Sequence, residues 1–183
     1  ALNSPEQIID QLDALLPDDQ MLANNQSATS VANTDIVAGF KQHVLLSPAK
    51  PALMADNSRL TYQELDDISN CYAGNLQALG AKSEKIVAIC LPRSSALLIS
   101  ILAVLKTGAA YLPLDPEQPL PRLQQIIDDA QPEVLITDLE ELVAGKCINA
   151  DALKQPIALY EPVAIAPEQL AYVLYTSGST GIP

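Results

Sequence analysis

The stretch that decides the fold is Lys85-Ile-Val-Ala-Ile-Cys-Leu-Pro-Arg-Ser94, then Ser-Ala-Leu-Leu-Ile-Ser-Ile-Leu-Ala-Val-Leu-Lys106, then Thr-Gly108 and Ala-Ala110-Tyr-Leu-Pro-Leu114. Residues 86–91 form a continuous apolar run, as expected of a strand covered on both faces. Ser94 is placed to cap a helix over Ser95 to Lys106. That helix is apolar almost all round, which predicts deep burial. Gly108 stops it, and Ala110 to Leu114 reads as a second strand. Residues 119–130 place Leu120, Leu123, Ile126, Ile127 and Ala130 on one helical face, and residues 133–137 read as a third strand. The order β-α-β-α-β predicts an α/β fold with a largely parallel sheet flanked by helices and right-handed crossovers.

Upstream, Thr61-Tyr-Gln-Glu64 is a capping box, with the acid three residues after the cap. Leu65, Ile68, Tyr72, Leu76 and Leu79 follow at helical spacing, and Gly80 suits the residue beyond the helix end, where φ > 0 is wanted. Before it, residues 51–55 and 59–62 flank Asp56-Asn-Ser58, which predicts a hairpin. Thr34-Asp35 can cap a helix over residues 36–46, with Ile36, Val37, Phe40, Val44 and Leu45 as its stripe and Pro48 ending it. His43 lies off that stripe and reads as a surface histidine. Residues 1–40 contain no Lys or Arg. Ser4-Pro5-Glu6-Gln7 reads as a helix start leading to Ile8, Leu12 and Leu15, and a second short helix is expected from Asp18 to about Asn24. Residues 24–34 lack the apolar surface for a core and read as a linker.

Downstream, residues 138–169 carry weaker signals: a short helix from Glu140-Glu141, a brief strand at 157–160, and a Pro-rich surface loop at 161–168. Residues 170–175, Leu-Ala-Tyr-Val-Leu-Tyr, then read as a buried strand. Thr176, Ser177, Gly178, Ser179, Thr180 and Gly181 follow it, four hydroxyls and two glycines with no apolar side chain. Successive N–H groups in such a turn can form an anion-binding nest, with the hydroxyls as further donors. No Lys follows a Gly as the usual P-loop requires. On residue chemistry alone two readings stand: a nucleotide phosphate loop, and a Ser/Gly linker.

Composition narrows the classes of function. With 22 acidic and 10 basic residues the formal net charge is -12, so nucleic acid and anionic membrane are unfavourable partners. The most apolar run, residues 96–105, is about half the length a bilayer span needs. No signal peptide opens the sequence, and a cytoplasmic setting is expected. Cys71, Cys90 and Cys147 are scattered, which favours buried reduced thiols. His43 is the only histidine, so a metal site built on it is not expected. Asp115, between prolines, reads as a turn former. Lys106 and Arg122, near helix ends, read as solvated charges.

Three motifs carry a resemblance. Residues 170–183, Leu-Ala-Tyr-Val-Leu-Tyr-Thr-Ser-Gly-Ser-Thr-Gly-Ile-Pro, resemble the phosphate-loop signature of the adenylate-forming enzymes, in the form of nonribosomal peptide synthetase adenylation domains. Residues 105–116, with Pro119 to Arg122, resemble that family's second motif, and residues 60–65 its first. The Leu-Pro-Leu-Asp-Pro turn favours the peptide-synthetase branch over acyl-CoA synthetases. The resemblance implies the N-terminal part of an adenylation domain over residues 36–183. It implies that residues 1–35 are a linker, for which the tail of a condensation domain and a disordered leader are the two readings. It further implies ATP, Mg2+ and an amino acid as reactants, and phosphopantetheine on a carrier domain as acceptor. Thr176 to Gly181 would bind the ATP phosphates. The family's Lys-Gly after the proline is absent, because the sequence stops at Pro183. A truncated, inactive piece of a longer enzyme is therefore expected, without catalytic residues or metal ligands of its own. A non-catalytic interaction module on the same fold and an acyl-CoA synthetase are the alternatives.

Overall fold

The computed structural model describes residues 35–55 and 58–176. The helices and linker expected within residues 1–34 lie outside the described residues, as do Asp56-Asn57 of the hairpin turn and Ser177 to Gly181. Helix α1 runs Ile36–Leu46, and the Asp35 carboxylate caps it by accepting from the Ala38 N–H at 2.8 Å. Strands β1 (Pro51–Ala55) and β2 (Ser58–Thr61) pair antiparallel, so the hairpin forms as expected. Helix α2 (Tyr62–Ala78) starts in the capping box: the Thr61 hydroxyl accepts from the Glu64 N–H at 3.2 Å, and the Glu64 carboxylate accepts from the Thr61 N–H at 2.8 Å. Two orphan donors of the first turn are thereby satisfied.

The central unit is built from β3 (Ile86–Cys90), α3 (Ser95–Lys106), β4 (Ala110–Leu114), α4 (Leu120–Ala130) and β5 (Val134–Thr137). A two-residue strand β6 (Cys147–Ile148) and a 3-10 turn at Ala152–Lys154 complete it. The sheet order is β4-β3-β5-β6, and every pairing is parallel. Alternation along β3 serves two cores. Val87 and Ile89 pack with α2 and α3, including Tyr72, Leu76, Ala103 and Val104. Ala88 and Cys90 pack with Leu123, Ile126 and Ile127 of α4. This two-sided burial is why β3 reads as an unbroken apolar run. Gly80 and Gly108 have φ of 103° and 78°, conformations that end α2 and α3 without the Cβ cost another residue would bear.

Four expectations are corrected. Helix α3 is buried on one side only: Ile99, Ala103 and Val104 are covered, while Leu98 is 48% exposed and Ile101, Leu102 and Leu105 are half-buried. Glu140-Glu141 form a turn, not a helix. Residues 157–160 form no strand, because the side chain of Asn75 on α2 takes their backbone donors. Its carbonyl accepts from the Ile157 N–H at 2.8 Å and the Ala158 N–H at 3.3 Å. The cysteines are all free, but Cys147 is exposed and Cys71 half-buried, leaving Cys90 as the buried one. No helix among the described residues is long and apolar enough to cross a membrane.

Residues 170–175 are corrected too. They run parallel beside β4, but a single bridge joins Tyr172 to Tyr111. Its two backbone bonds are Tyr111 N–H to Ala171 C=O at 3.1 Å and Val173 N–H to Tyr111 C=O at 3.0 Å. Ala171, Val173 and Tyr175 are half-buried, with Val173 and Tyr175 against the α4 core. Tyr172 and Leu174, pointing the other way, are 52% and 58% exposed. The Tyr111 ring meets Tyr172 at 5.8 Å between centroids, yet more than half of each side chain on that second face stays open, so the apolar pattern is only partly used.

Candidate functional site

All strands of the sheet point the same way, so their C-terminal ends share one edge. In open α/β sheets that edge is where ligands bind. Leu91 to Ser94 leave β3 there, Asp115 leaves β4, and Asp138 leaves β5. Thr176 stands at the same edge, four residues after the Tyr172 bridge, and is exposed. Of the six residues expected to bind phosphate, it alone is among the described residues. Ser177, Gly178, Ser179, Thr180 and Gly181 continue from it outside the described residues.

Asp115 is a turn former, as expected. Its carboxylate accepts from the Glu117 N–H at 3.0 Å and its carbonyl from the Gln118 N–H at 3.0 Å. Arg122 is half-buried, and its guanidinium donates to Gln125 at 3.3 Å. A cleft of about 260 Å³ lies beyond β5, lined by Thr137, Asp138, Leu139, Glu140, Leu142 and Cys147. Its acids do not gather: the described residues hold no group of three or more His, Cys, Asp or Glu able to bind a metal.

Lys106 overturns its expected place in solvent. It is 0% exposed, and its ammonium donates to Asp66 Oδ1 at 2.8 Å, Ser69 Oγ at 2.7 Å, Asn70 Oδ1 at 2.8 Å and the Asp66 carbonyl at 3.2 Å. The Phe40 ring lies 5.3 Å from it, and Lys41 of α1 reaches the same Asp66 carboxylate at 2.9 Å. Tyr160 closes the cluster by donating to the Lys106 carbonyl at 3.2 Å. Burial pushes the Lys106 pKa down to about 8, against the opposing pull of Asp66. For Asp66, burial would raise the pKa, but hydrogen bonds from Lys106 and Lys41 outweigh it and hold the carboxyl below its usual value. With no exposed atom Lys106 cannot touch a ligand; it joins α1, α2 and α3. A signal was available: Ile99, Ala103 and Lys106 stand at spacings of four and three, which puts the lysine on the buried face.

Residues 40–183 match the AMP-binding enzyme family. The chain is 35% identical over 193 aligned positions to a dimodular nonribosomal peptide synthase of Bacillus subtilis, covering 97% of this chain and 8% of that protein. It is 42% identical over 153 positions to malpinin synthetase of Mortierella alpina, covering 79% of this chain and 2% of that protein. Among solved structures, the NpsA N-terminal subdomain of Klebsiella oxytoca, in complex with 3-hydroxyanthranilyl-AMSN, superposes with a TM-score of 0.75 at 27% identity. That likeness covers 85% of this chain and 41% of the NpsA chain. The chain thus spans a small part of the curated relatives it matches. The parallel sheet and these likenesses agree: the chain belongs to the AMP-binding enzyme family and is similar to the adenylation regions of nonribosomal peptide synthetases.

Proposed function

We propose that this chain is part of an enzyme that activates an amino acid as aminoacyl-AMP with ATP and Mg2+. The activated group would pass to a phosphopantetheine thiol on a carrier domain, beside a condensation domain, in the cytoplasm. Residues 36–183 are the N-terminal part of the adenylation domain, and residues 1–35 the linker before it. The observation that carries this reading is Thr176, exposed at the ligand-binding edge of a parallel sheet and opening a Ser/Thr/Gly run. When bound, ATP supplies the α-phosphate electrophile and the pyrophosphate leaving group, and Mg2+ offsets the charge of the phosphate oxygens. The task of this chain's own residues is electrostatic. The Thr176 hydroxyl and the donors of Ser177 to Gly181 would bind the phosphates, holding them as charge builds on the leaving group. The AMSN complex of the NpsA subdomain supports a ligand of this class at the same fold.

Amino-acid-dependent exchange of pyrophosphate into ATP tests the proposal. The polypeptide extended across the whole adenylation domain should exchange with one or a few amino acids, and these 183 residues alone should not. Exchange by the 183-residue chain would refute its assignment as an incomplete site. Dependence on a fatty acid would replace the amino acid with an acyl substrate. An extended polypeptide inert toward every carboxylate would leave an interaction module.

A further inference from the structure

The backbone holds the segment before Thr176 through one bridge residue, Tyr172, with Tyr111. Two backbone bonds at one point, with the Tyr172 ring against Tyr111 and Val173 against the α4 core, hold the middle of the segment but give its ends no directional restraint. Two side chains supply the missing restraint. At the start, Gln169 donates to the Gly108 carbonyl in the turn between α3 and β4, and its own carbonyl accepts from the Ala166 N–H at 3.4 Å. At the end, the Tyr175 hydroxyl donates to the Asp129 carboxylate in the last turn of α4. Helix α4 is a firm support, since Leu123, Ile126 and Ile127 are buried in the core against which Tyr175 also packs. Burial, then the hydrogen bond to Asp129 and its charge, push the Tyr175 phenol up to about 12. The hydroxyl therefore stays a donor throughout any ordinary assay range.

Thr176 is the next residue along the chain. A shift of Tyr175 moves the Thr176 hydroxyl. Ligand-binding donors must be held within about 0.5 Å of their productive place. We propose that Tyr175 and Asp129 are a positioning pair: the phenol–carboxylate bond to α4 sets where Thr176, the first of the proposed nucleotide-binding residues, sits. This rests on the adenylating function proposed above. Neither residue need touch the nucleotide; the pair acts through the peptide that joins Tyr175 to Thr176.

The test uses the polypeptide extended across the whole adenylation domain, carrying Tyr175→Phe, Asp129→Ala, Asp129→Asn, and the double variant Tyr175→Phe/Asp129→Ala. The bond is exposed to water, and loss of one hydrogen bond of ordinary net strength corresponds to roughly a three- to tenfold effect. The KM for ATP should rise by about that factor in Tyr175→Phe and Asp129→Ala, with the KM for the amino acid and the melting temperature unchanged. Asp129→Asn keeps an acceptor oxygen and should lose less. The double variant should be no worse than either single one, because the pair acts as a unit. In the 183-residue chain itself, backbone amides of residues 173–176 should exchange hydrogen faster in Tyr175→Phe than in the parent. An ATP KM within twofold of the parent in every variant, strictly additive losses, or unchanged amide exchange would overturn the pairing alone. A parent enzyme that turns over no ATP with any carboxylate would overturn the adenylating function, and the pairing's purpose with it.

Discussion

Lys106 illustrates how one residue's meaning depends on what the chain places around it. A buried ammonium is tolerated only when its donors are met, and here Asp66, Ser69 and Asn70 meet them. Removing one partner of such a pair leaves an uncompensated charge. Lys106→Met should lower stability in urea unfolding by about 3 kcal/mol, the low end for a broken buried pair, because Lys41 still reaches Asp66. A loss under about 1 kcal/mol would rank the cluster with ordinary surface pairs. The pH dependence has a defined sign. Asp66 is held below its usual value, so its contribution is full above about pH 4 and is lost as pH falls through the folded-state pKa. Lys106 releases its proton near pH 8 in the fold but near 10.5 when unfolded. Between those values the unfolded chain binds more protons, so this group makes stability rise with pH. Unfolding curves at pH 7, 8, 9 and 10 should show the parent gaining stability relative to Lys106→Met as pH rises, the thiols and phenols that titrate in the same range being common to both.

At the scale of elements, α2 and the segment after the 3-10 turn depend on a glycine. A Cβ on Gly74 would lie 2.4 Å from the Ala158 carbonyl oxygen and 2.8 Å from the Tyr160 nitrogen, both backbone atoms. Two effects compete in Gly74→Ala. Helix propensity favours the alanine by about 1 kcal/mol. Overpacking against fixed backbone costs about 1–3 kcal/mol. The contact is too short to relax without moving residues 158–160, so overpacking should win. We expect a net loss of about 1–2 kcal/mol, or a few degrees in melting temperature. A variant as stable as the parent would mean that the segment leaves α2 at little cost. This interface also explains why the expected strand at 157–160 did not form. Periodicity registers apolar side chains, whereas Asn75 captures this segment by hydrogen bonds across more than 80 positions of sequence.

At the scale of the whole molecule, apolar surface is left open beside the sheet. Leu98 on α3, and Tyr172 and Leu174 on the segment beside β4, are each about half exposed or more. The backbone of that segment is bridged at one residue only among the described residues, so the sheet has an edge able to pair again. The 183-residue chain should self-associate as its concentration rises, which light scattering would register as growing mass. Leu174→Lys, a charge on the exposed face, should reduce that growth. A constant monomer mass at high concentration would show that this surface is tolerated in water.

Local chemistry determined the elements: the capping box of α2, the Ser94 cap of α3 and the glycines after them delimited both helices because helix ends need partners within three or four residues of the cap. The apolar run at β3 announced a strand covered on both faces, and the β-α-β-α-β order announced the parallel sheet. The hydroxyl and glycine run from Thr176 marked the candidate site for the same reason, since nest-forming donors are consecutive in the chain. Tertiary structure alone decided the rest. It buried Lys106 against Asp66 across 40 positions of sequence, set Tyr175 on Asp129 across 46, and drew residues 157 and 158 onto Asn75. It also left one face of α3 and of residues 170–175 open, although both are apolar by composition. Periodicity says which side of an element is apolar; only the packing of distant elements determines whether anything covers it and which polar groups meet beneath.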